Sequence, residues 1–319
     1  MNEITTTRAN HLIDPVLSVW RSEVALYLFL GGLVAGLMVL AGYAMLRTPN
    51  ERRSRAVSLM LWTAPLLISI GMFFLWLDLE HPFNAYRFYL ALRPTSPMSW
   101  GAWILLLVYP ASILLAWVMT PDDLKIRWRQ KALFLPAVER VADWSTKNVR
   151  FLAALNIAAG AALGVYTGVL LGTMAARPLW NSAILGPLFL VSGLSTGAAF
   201  LLLYKLADRE RLWLSRLDMG LIAIELALIA LWFIGLASGG TAYRDALSVF
   251  FGGPYTAAFW TLVVMLGLLA PLTGKWLEHR HGAVPGRLTA ILVLVGGFAL
   301  RWIVVYAGQF TELTEVALR

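Results

Sequence analysis

The chain of 319 residues contains no cysteine and only four histidines, and charged residues make up only 14% of it. The missing thiols exclude disulfide bonds, iron–sulfur clusters and thiolate metal sites within this chain. The histidines all lie outside the long apolar stretches, whereas haem b in a membrane bundle takes its axial histidines from within helices. The composition therefore predicts neither haem nor an iron–sulfur cluster in this chain.

Apolar residues, by contrast, make up 59% of the chain, and its mean hydropathy is +0.71. A soluble domain of this length has a largely polar surface and cannot hide so many apolar side chains. A bilayer core of roughly 30 Å needs about 20 apolar residues per helix. Eight such runs are present, at residues 24–46, 57–79, 99–119, 151–175, 183–206, 216–238, 257–277 and 285–308. The sequence thus predicts an all-α integral membrane protein with eight transmembrane helices.

Lysine and arginine are concentrated in the connections after the first, third, fifth and seventh runs, the last of which is taken to include Lys275, Arg280 and Arg287. By the positive-inside rule these connections face the cytoplasm. Both termini are then periplasmic, if the membrane is a bacterial inner membrane. The polar first 20 residues lack the basic start, the apolar stretch and the small-residue cleavage site of a signal peptide, so we expect the first helix to be retained.

Two short motifs occur twice, which indicates an internal repeat. LFL followed by GL-x-x-G lies at residues 28–36 and 188–197, and Tyr-x-Gly occurs at Tyr166 and Tyr306. The repeat predicts two parallel four-helix bundles. Their bounds are residues 24–175 and 176–308, with a periplasmic segment at 1–23 and a tail at 309–319. The glycines of the first motif predict close helix crossings.

Polar residues within or at the ends of apolar runs are costly in lipid and are therefore the first candidates for a functional site. In the first half they converge on the predicted periplasmic side: Glu23, Tyr27, Asp78, Glu80, His81, Ser99, Trp100 and Tyr166. Singly, such carboxylates also suit helix caps and such aromatics an interfacial belt. As a set they predict a pocket for a flat, lipid-soluble quinone. In such a pocket a hydroxyl or imidazole donates to a carbonyl and a carboxylate exchanges protons.

The second half carries isolated charges. Glu225 lies in the middle of the sixth run, Asp218 near its start, and Arg301 in the eighth run, while Asn156 lies deep in the fourth. Glu225 and Arg301 either form a structural ion pair or lie on a proton path that also uses Asp218. Spacing alone leaves both alternatives open.

Several longer strings resemble the membrane subunits of the NrfD/polysulfide-reductase family. They are ALYLFLGGLVAG at 25–36, LDL-x-x-P at 77–82, PTSPMSWG at 94–101, YTGVLL at 166–171, P-x-W-N at 178–181 and LFLVSGLSTG at 188–197. The resemblance implies a quinone-reactive membrane anchor that has no redox centre of its own. It also implies periplasmic docking to a ferredoxin-like four-cluster iron–sulfur subunit, usually accompanied by a molybdopterin catalytic subunit.

By the same resemblance, Glu23, Tyr27, Asp78 and Tyr166 line the quinone pocket, and the quinone is menaquinone or ubiquinone. Tyr27 lies where some family members present a histidine, which leaves the carbonyl donor open between Tyr27 and Tyr166. The leading hypothesis is quinone/quinol oxidoreduction by a subunit that is not catalytic alone. A proton-translocating or transporter-like subunit and a passive membrane anchor are the alternatives.

Overall fold

The structure, a computed structural model, describes residues 20–47, 58, 61–79, 81–90, 93–131, 136–174, 176–281 and 286–311. The regular elements in these ranges are helices. In chain order they are α1 (Ser22–Arg47), α2 (Thr63–Asp78), α3 (Arg87–Leu90), α4 (Pro97–Met119), α5 (Asp122–Lys131), α6 (Pro136–Lys147), α7 (Val149–Gly172), α8 (Leu185–Leu202), α9 (Asp208–Ala237), α10 (Thr241–Ser248), α11 (Thr256–Arg280) and α12 (Arg287–Gln309). The predicted all-α class is confirmed.

Within the described ranges, seven helices are long and apolar enough to cross a membrane: α1, α4, α7, α8, α9, α11 and α12. Helix α2 is apolar but has only 16 residues, about 24 Å at 1.5 Å per residue. Residues 57, 59 and 60, at the start of the predicted second span, lie outside the described ranges. The eighth span therefore stays a prediction. The periplasmic termini do so too, since residues 1–19 and 312–319 also lie outside these ranges.

Helices α1 and α8 form the centre of the molecule. Helix α1 packs against α2, α7, α8 and α12, and α8 packs against α1, α7, α9 and α12. In the first half, α1 packs on α2 and α7, and α4 packs on α7. In the second half, α8 packs on α9 and α12, and α11 packs on α12 in the same way. Helices α2 and α4 touch only slightly. Because the two halves share this packing order, we retain the division into two four-helix bundles as a proposal. Glu23 and Asp78 mark what is called below the outer end, and Arg47 and Met119 mark the inner end.

At the crossing of α1 and α8, the backbone atoms of glycines on the two helices are in direct contact. A Cβ atom on Gly193 would lie 2.6 Å from the Gly32 carbonyl oxygen, and one on Gly197 would lie 2.8 Å from the Gly36 carbonyl carbon. Only glycine permits such an approach, because any side chain would hold the helices apart. The four glycines therefore lie at a close helix crossing, as their spacing predicts.

Helix α11 widens into a π-helix over Phe259–Leu269. Pro271 follows this stretch, and a proline ring collides with the carbonyl four residues earlier in an α-helix, here that of Gly267. Opening the helix to longer-range hydrogen bonds relieves that collision. The stretch also brings Gly267 against Gly296 of α12, so the helix is shaped to its neighbour.

Hydrogen bonds at the outer end tie the two halves together. Arg177, between α7 and α8, donates to the carbonyls of Gln309 and Thr311 at 2.9 Å. The Gln309 side chain exchanges two hydrogen bonds with the backbone of Trp20. Trp20 also stacks on Trp180, with ring centroids 5.1 Å apart. The start of α1 is thereby fixed to the end of α12.

We predict that Gly197→Ala destabilises the protein and Gly220→Ala does not. The new methyl at 197 meets backbone atoms of α1, which cannot rotate away, and overpacking of this kind costs about 1–3 kcal/mol. A Cβ at Gly220 has nothing within 4 Å, so alanine there gains about 1 kcal/mol of helix propensity. Thermal unfolding in lipid nanodiscs measures both. Equal unfolding temperatures for the two variants would contradict the close crossing.

Candidate functional site

Three tyrosine hydroxyls come together near the outer end of the first half. Tyr27 on α1 and Tyr166 on α7 are only 3% and 6% exposed. The Tyr27 hydroxyl lies within electrostatic reach of the hydroxyls of Tyr166 and Tyr89. The Tyr166 phenol lies directly against Gly101 at the start of α4, where a Cβ would collide with it. The glycine of the PTSPMSWG string is therefore required by a tyrosine 65 positions further along the chain.

Two carboxylates lie just outside these hydroxyls. Glu23 and Tyr27 are one turn apart on the same face of α1, and Asp78 at the end of α2 lies within electrostatic reach of Glu23 and Arg21. Glu23 and Asp78 are both half-buried, and Glu23 accepts a hydrogen bond from the Ser22 hydroxyl at 3.3 Å. The predicted convergence of Glu23, Tyr27, Asp78 and Tyr166 is present in the fold, and their roles remain a proposal.

Sequence reasoning missed Tyr89, in the short helix α3. Burial raises the pKa of Tyr89 above the usual tyrosine value, and the nearby Tyr109 hydroxyl raises this pKa further. Tyr89 is therefore a protonated hydrogen-bond donor at neutral pH. Tyr109 in turn lies 3.1 Å from the Ser69 hydroxyl, which links α4 to α2. The signal for Tyr89 was weak, because it falls in a connection where aromatics are common.

The other candidates of this set have local partners or lie apart. The Ser99 hydroxyl accepts a hydrogen bond from the Arg93 backbone N–H at 3.0 Å, and the Trp100 indole donates to the Pro94 carbonyl at 2.6 Å. Both thus help to hold the connection before α4. His81 is exposed beside the turn Pro82–Asn84. Glu80 lies outside the described residues.

A second polar cluster runs through the second half and is called here the buried column. Each of its side chains is at most 3% exposed: Ser192 and Ser195 on α8, Ser215, Asp218 and Glu225 on α9, Lys275 on α11 and Arg301 on α12. One face of α9 carries Ser215, Asp218 and Glu225, since Asp218 is three residues after Ser215 and Glu225 is seven residues after Asp218. The column extends over about 15 Å of that helix.

Asp218 is held from two sides. The Lys275 ammonium forms a salt bridge with one carboxylate oxygen, and the Ser195 hydroxyl donates to the other at 2.6 Å. The placement of Lys275 in a cytoplasmic connection was therefore wrong. Lys275 lies within α11 and is fully buried. The burial is possible because Asp218 compensates its charge inside the bundle, so that the ammonium does not need water.

Glu225 and Arg301 are joined through a serine. Arg301 donates to the Ser192 hydroxyl at 3.1 Å and to the carbonyls of Gly297 and Phe189 at 2.9 and 3.1 Å. The Ser192 hydroxyl also faces the Glu225 carboxylate, which places it between the two charges. Glu225 and Arg301 both lie in the described ranges, and no nitrogen of Arg301 comes within 4.0 Å of a carboxylate oxygen of Glu225 to form a direct salt bridge. The interaction is thus a bridged ion pair.

Arg301 also contacts the first half. Its guanidinium lies against the backbone of Gly32 on α1, where a Cβ would collide with it. The aromatic rings of Phe29 and Phe189 lie 6.0 and 5.3 Å from the guanidinium carbon. Gly32 therefore serves both the helix crossing and the accommodation of a buried cation.

Asn156 belongs to neither cluster. Its amide donates to the carbonyls of Ala111 and Leu152 at 2.8 and 2.9 Å. It lines a small cavity of about 10 Å³ together with Ser112. Over the described residues, no three His, Cys, Asp or Glu side chains are grouped so that they could hold a metal ion.

Comparison with known proteins gives one family. The family model described as "Polysulphide reductase, NrfD" matches residues 10–312. The chain is 34% identical over 310 residues to protein NrfD of Escherichia coli K12, with 92% of this chain and 96% of that protein covered. It is 30% identical to one of the polysulfide reductase chains of Wolinella succinogenes, over 91% of this protein and 94% of that one. It is 25% identical to one of the tetrathionate reductase subunits of Salmonella typhimurium LT2, with 93% of this chain and 79% of that subunit covered.

We predict that Lys275→Met destabilises the protein by about 3–5 kcal/mol, because it leaves a buried carboxylate without its counter-ion. The double variant Asp218→Asn, Lys275→Met is expected to recover most of this loss. Lys125→Met is the control, since Lys125 pairs at 3.6 Å with an almost fully exposed Asp122, a type of pair worth at most about 1 kcal/mol, and donates to the Val118 carbonyl at 2.9 Å, a bond worth about 1 kcal/mol more. Thermal unfolding in nanodiscs compares the three. A double variant no more stable than Lys275→Met alone would contradict the pairing.

Proposed function

Because the chain belongs to the NrfD/polysulphide reductase family, we propose that it is the quinone-binding membrane subunit of a respiratory oxidoreductase complex. It passes electrons between membrane menaquinone or ubiquinone and an iron–sulfur subunit on the periplasmic side. Membership of this family makes it a membrane subunit of a reductase complex, since its relatives are named as parts of polysulfide and tetrathionate reductases. A bacterial inner membrane suits this role.

The observation that carries the proposal is the buried pair Tyr27 and Tyr166, with the half-buried carboxylates of Glu23 and Asp78 just outside it. A quinone is a flat apolar ring with two carbonyl acceptors, and two phenol donors among apolar side chains suit it. The slight contact between α2 and α4 favours entry from the lipid between these helices. Trp76 and Trp100, exposed on the two helices, provide flat surfaces there.

The side chains divide the chemistry between them. A bound quinol supplies two electrons and two protons when it is oxidised. The Tyr166 or Tyr27 hydroxyl donates a hydrogen bond that orients a carbonyl or hydroxyl of the ring, and Gly101 leaves the Tyr166 phenol room to do so. Asp78 and Glu23 exchange the protons with water at the outer face.

The electrons require a partner, since the protein has no cysteine with which to ligate a cluster. A ferredoxin-like four-cluster subunit, docked at the outer end, accepts or supplies them, and the substrate reaction takes place on a molybdopterin subunit. The position of the hydroxyls near the outer end favours that docking side, because it keeps the electron path short.

We predict that Tyr166→Phe and Asp78→Asn each lower quinone-linked turnover of the purified complex by about 10²-fold or more, because general acid–base groups typically contribute 10²–10⁴-fold. The complex is expected to assemble normally. Tyr43→Phe is the control, because Tyr43 lies near the inner end, where its hydroxyl accepts from Arg47 at 2.8 Å. Unchanged turnover in both site variants would remove these assignments, and failure to extract any quinone from the complex would favour a passive anchor.

A second candidate function, proton translocation, rests on the buried column. Acids, serines and bases lie in two bonded groups one after the other along α8 and α9, and ionisable groups inside a membrane commonly mark proton paths. Arg301, the outermost side chain of the column, lies against Gly32, which is five residues from Tyr27 along α1, or about 7.5 Å. It therefore lies close enough to the proposed quinone site to respond electrostatically to charge there.

For this second function we predict that Glu225→Gln lowers the number of protons translocated per quinol in proteoliposomes, while quinone-linked turnover continues. Glutamine keeps the size and the position beside Ser192 but cannot carry a proton. Asp122→Asn, an exposed change at the inner end, is the control. A stoichiometry equal to that of the unmodified complex would leave quinone chemistry as the sole function.

A further inference from the structure

The buried column has two polar atoms without partners, and they lie at its opposite ends. Within the described residues, Ser215 Oγ and Arg301 Nε are buried and have no hydrogen-bond partner. Ser215 lies nearest the inner end of the column, one turn from Asp218. Arg301 lies nearest the outer end, beside Phe189 and Gly32. Both side chains are 0% exposed, so membrane-external water does not reach them in this conformation.

The other side chains of the column form two groups. Ser195 and Lys275 both bond Asp218 in the first group, and Arg301 donates to Ser192, beside Glu225, in the second. Buried polar atoms are seldom left without a partner, because the desolvation cost is then uncompensated. Ser215 Oγ, one turn from Asp218 of the first group, and Arg301 Nε in the second are such atoms, which indicates that something outside the protein completes each group there.

We propose that an ordered water molecule binds at each end of the buried column, one at Ser215 Oγ and one at Arg301 Nε. A hydroxyl can donate to water or accept from it, and a guanidinium Nε–H donates to it. Water is the smallest partner able to satisfy both, and buried waters of this kind are regular structural components.

The two waters also extend the column in both directions. Arginine keeps its proton in proteins, so Arg301 cannot itself relay one. A water on Arg301 accepts a hydrogen bond from the guanidinium and extends the column outwards, and a water on Ser215 can deliver a proton towards Asp218 from the inner side. This use rests on the proton-translocating function proposed above. The hydration itself does not, and the experiments below measure hydration alone.

The first test compares Ser215→Ala with Ser145→Ala by thermal unfolding of the full-length protein in nanodiscs. Ser145 is also 0% exposed, but its hydroxyl is satisfied at 2.7 Å by the Ala142 carbonyl. If water bonds Ser215, both variants lose a hydrogen bond and both unfold at lower temperature. If Ser215 is dry, its alanine variant removes an unsatisfied group and unfolds at higher temperature, which would overturn the proposal at that end.

The second test is an experimental structure of the full-length protein in lipid, at a resolution that resolves water molecules bound to other buried polar groups. Ordered density at hydrogen-bonding distance, roughly 2.7–3.2 Å, from both Ser215 Oγ and Arg301 Nε is the expected result. Density at only one end, or at neither, would overturn the proposal. Normal hydration combined with unchanged proton stoichiometry in Glu225→Gln would instead count against proton translocation and leave the water sites standing.

Discussion

The backbone contact between α1 and α8 fixes the positions of both polar clusters. Lipid gives helices no hydrophobic reason to associate, so their packing depends on close van der Waals approach. Gly32, Gly36, Gly193 and Gly197 permit that approach. The same crossing places Gly32 against the Arg301 guanidinium, while Tyr27 lies five residues further out on α1. A single helix thus carries a residue of the proposed quinone site and the contact that seats the buried cation.

The two clusters obey different electrostatic rules because their access to water differs. Glu23 and Asp78 are half-buried at a helix end, where a carboxylate can exchange protons with solvent. Asp218, Glu225, Lys275 and Arg301 are at most 3% exposed, so each charge needs a compensating partner inside the protein. The serines of the LFLVSGLSTG string supply part of that compensation. The string therefore has two roles: its glycines allow the close helix packing, and its serines bond the buried charges.

The sequence predicted what depends on local pattern. Long apolar runs specify spanning helices because lipid leaves backbone polar groups no other partner, and the glycine spacing specifies the crossing. Contacts between distant residues carry no such pattern. Lys275 meets Asp218 from 57 positions away, and its place near the end of an apolar run looked like that of a loop residue. The contact of Gly101 with Tyr166 and the position of Tyr89 likewise depend on how the helices pack. The second span falls short in the described residues because Leu61 and Trp62 form a turn and the helix begins only at Thr63.

The two acids of α9 differ in how firmly their charge is held. Lys275 touches Asp218 directly and Ser195 adds a second bond, so protonating Asp218 would leave a buried ammonium without its counter-ion. Glu225 meets its cation only through the Ser192 hydroxyl, and electrostatic attraction weakens with distance. Arg301 has further support from two carbonyls and two aromatic rings, so it depends less on the Glu225 charge. Glu225 is therefore the less tightly compensated of the two acids, with Asp218 and Lys275 as a fixed pair beside it.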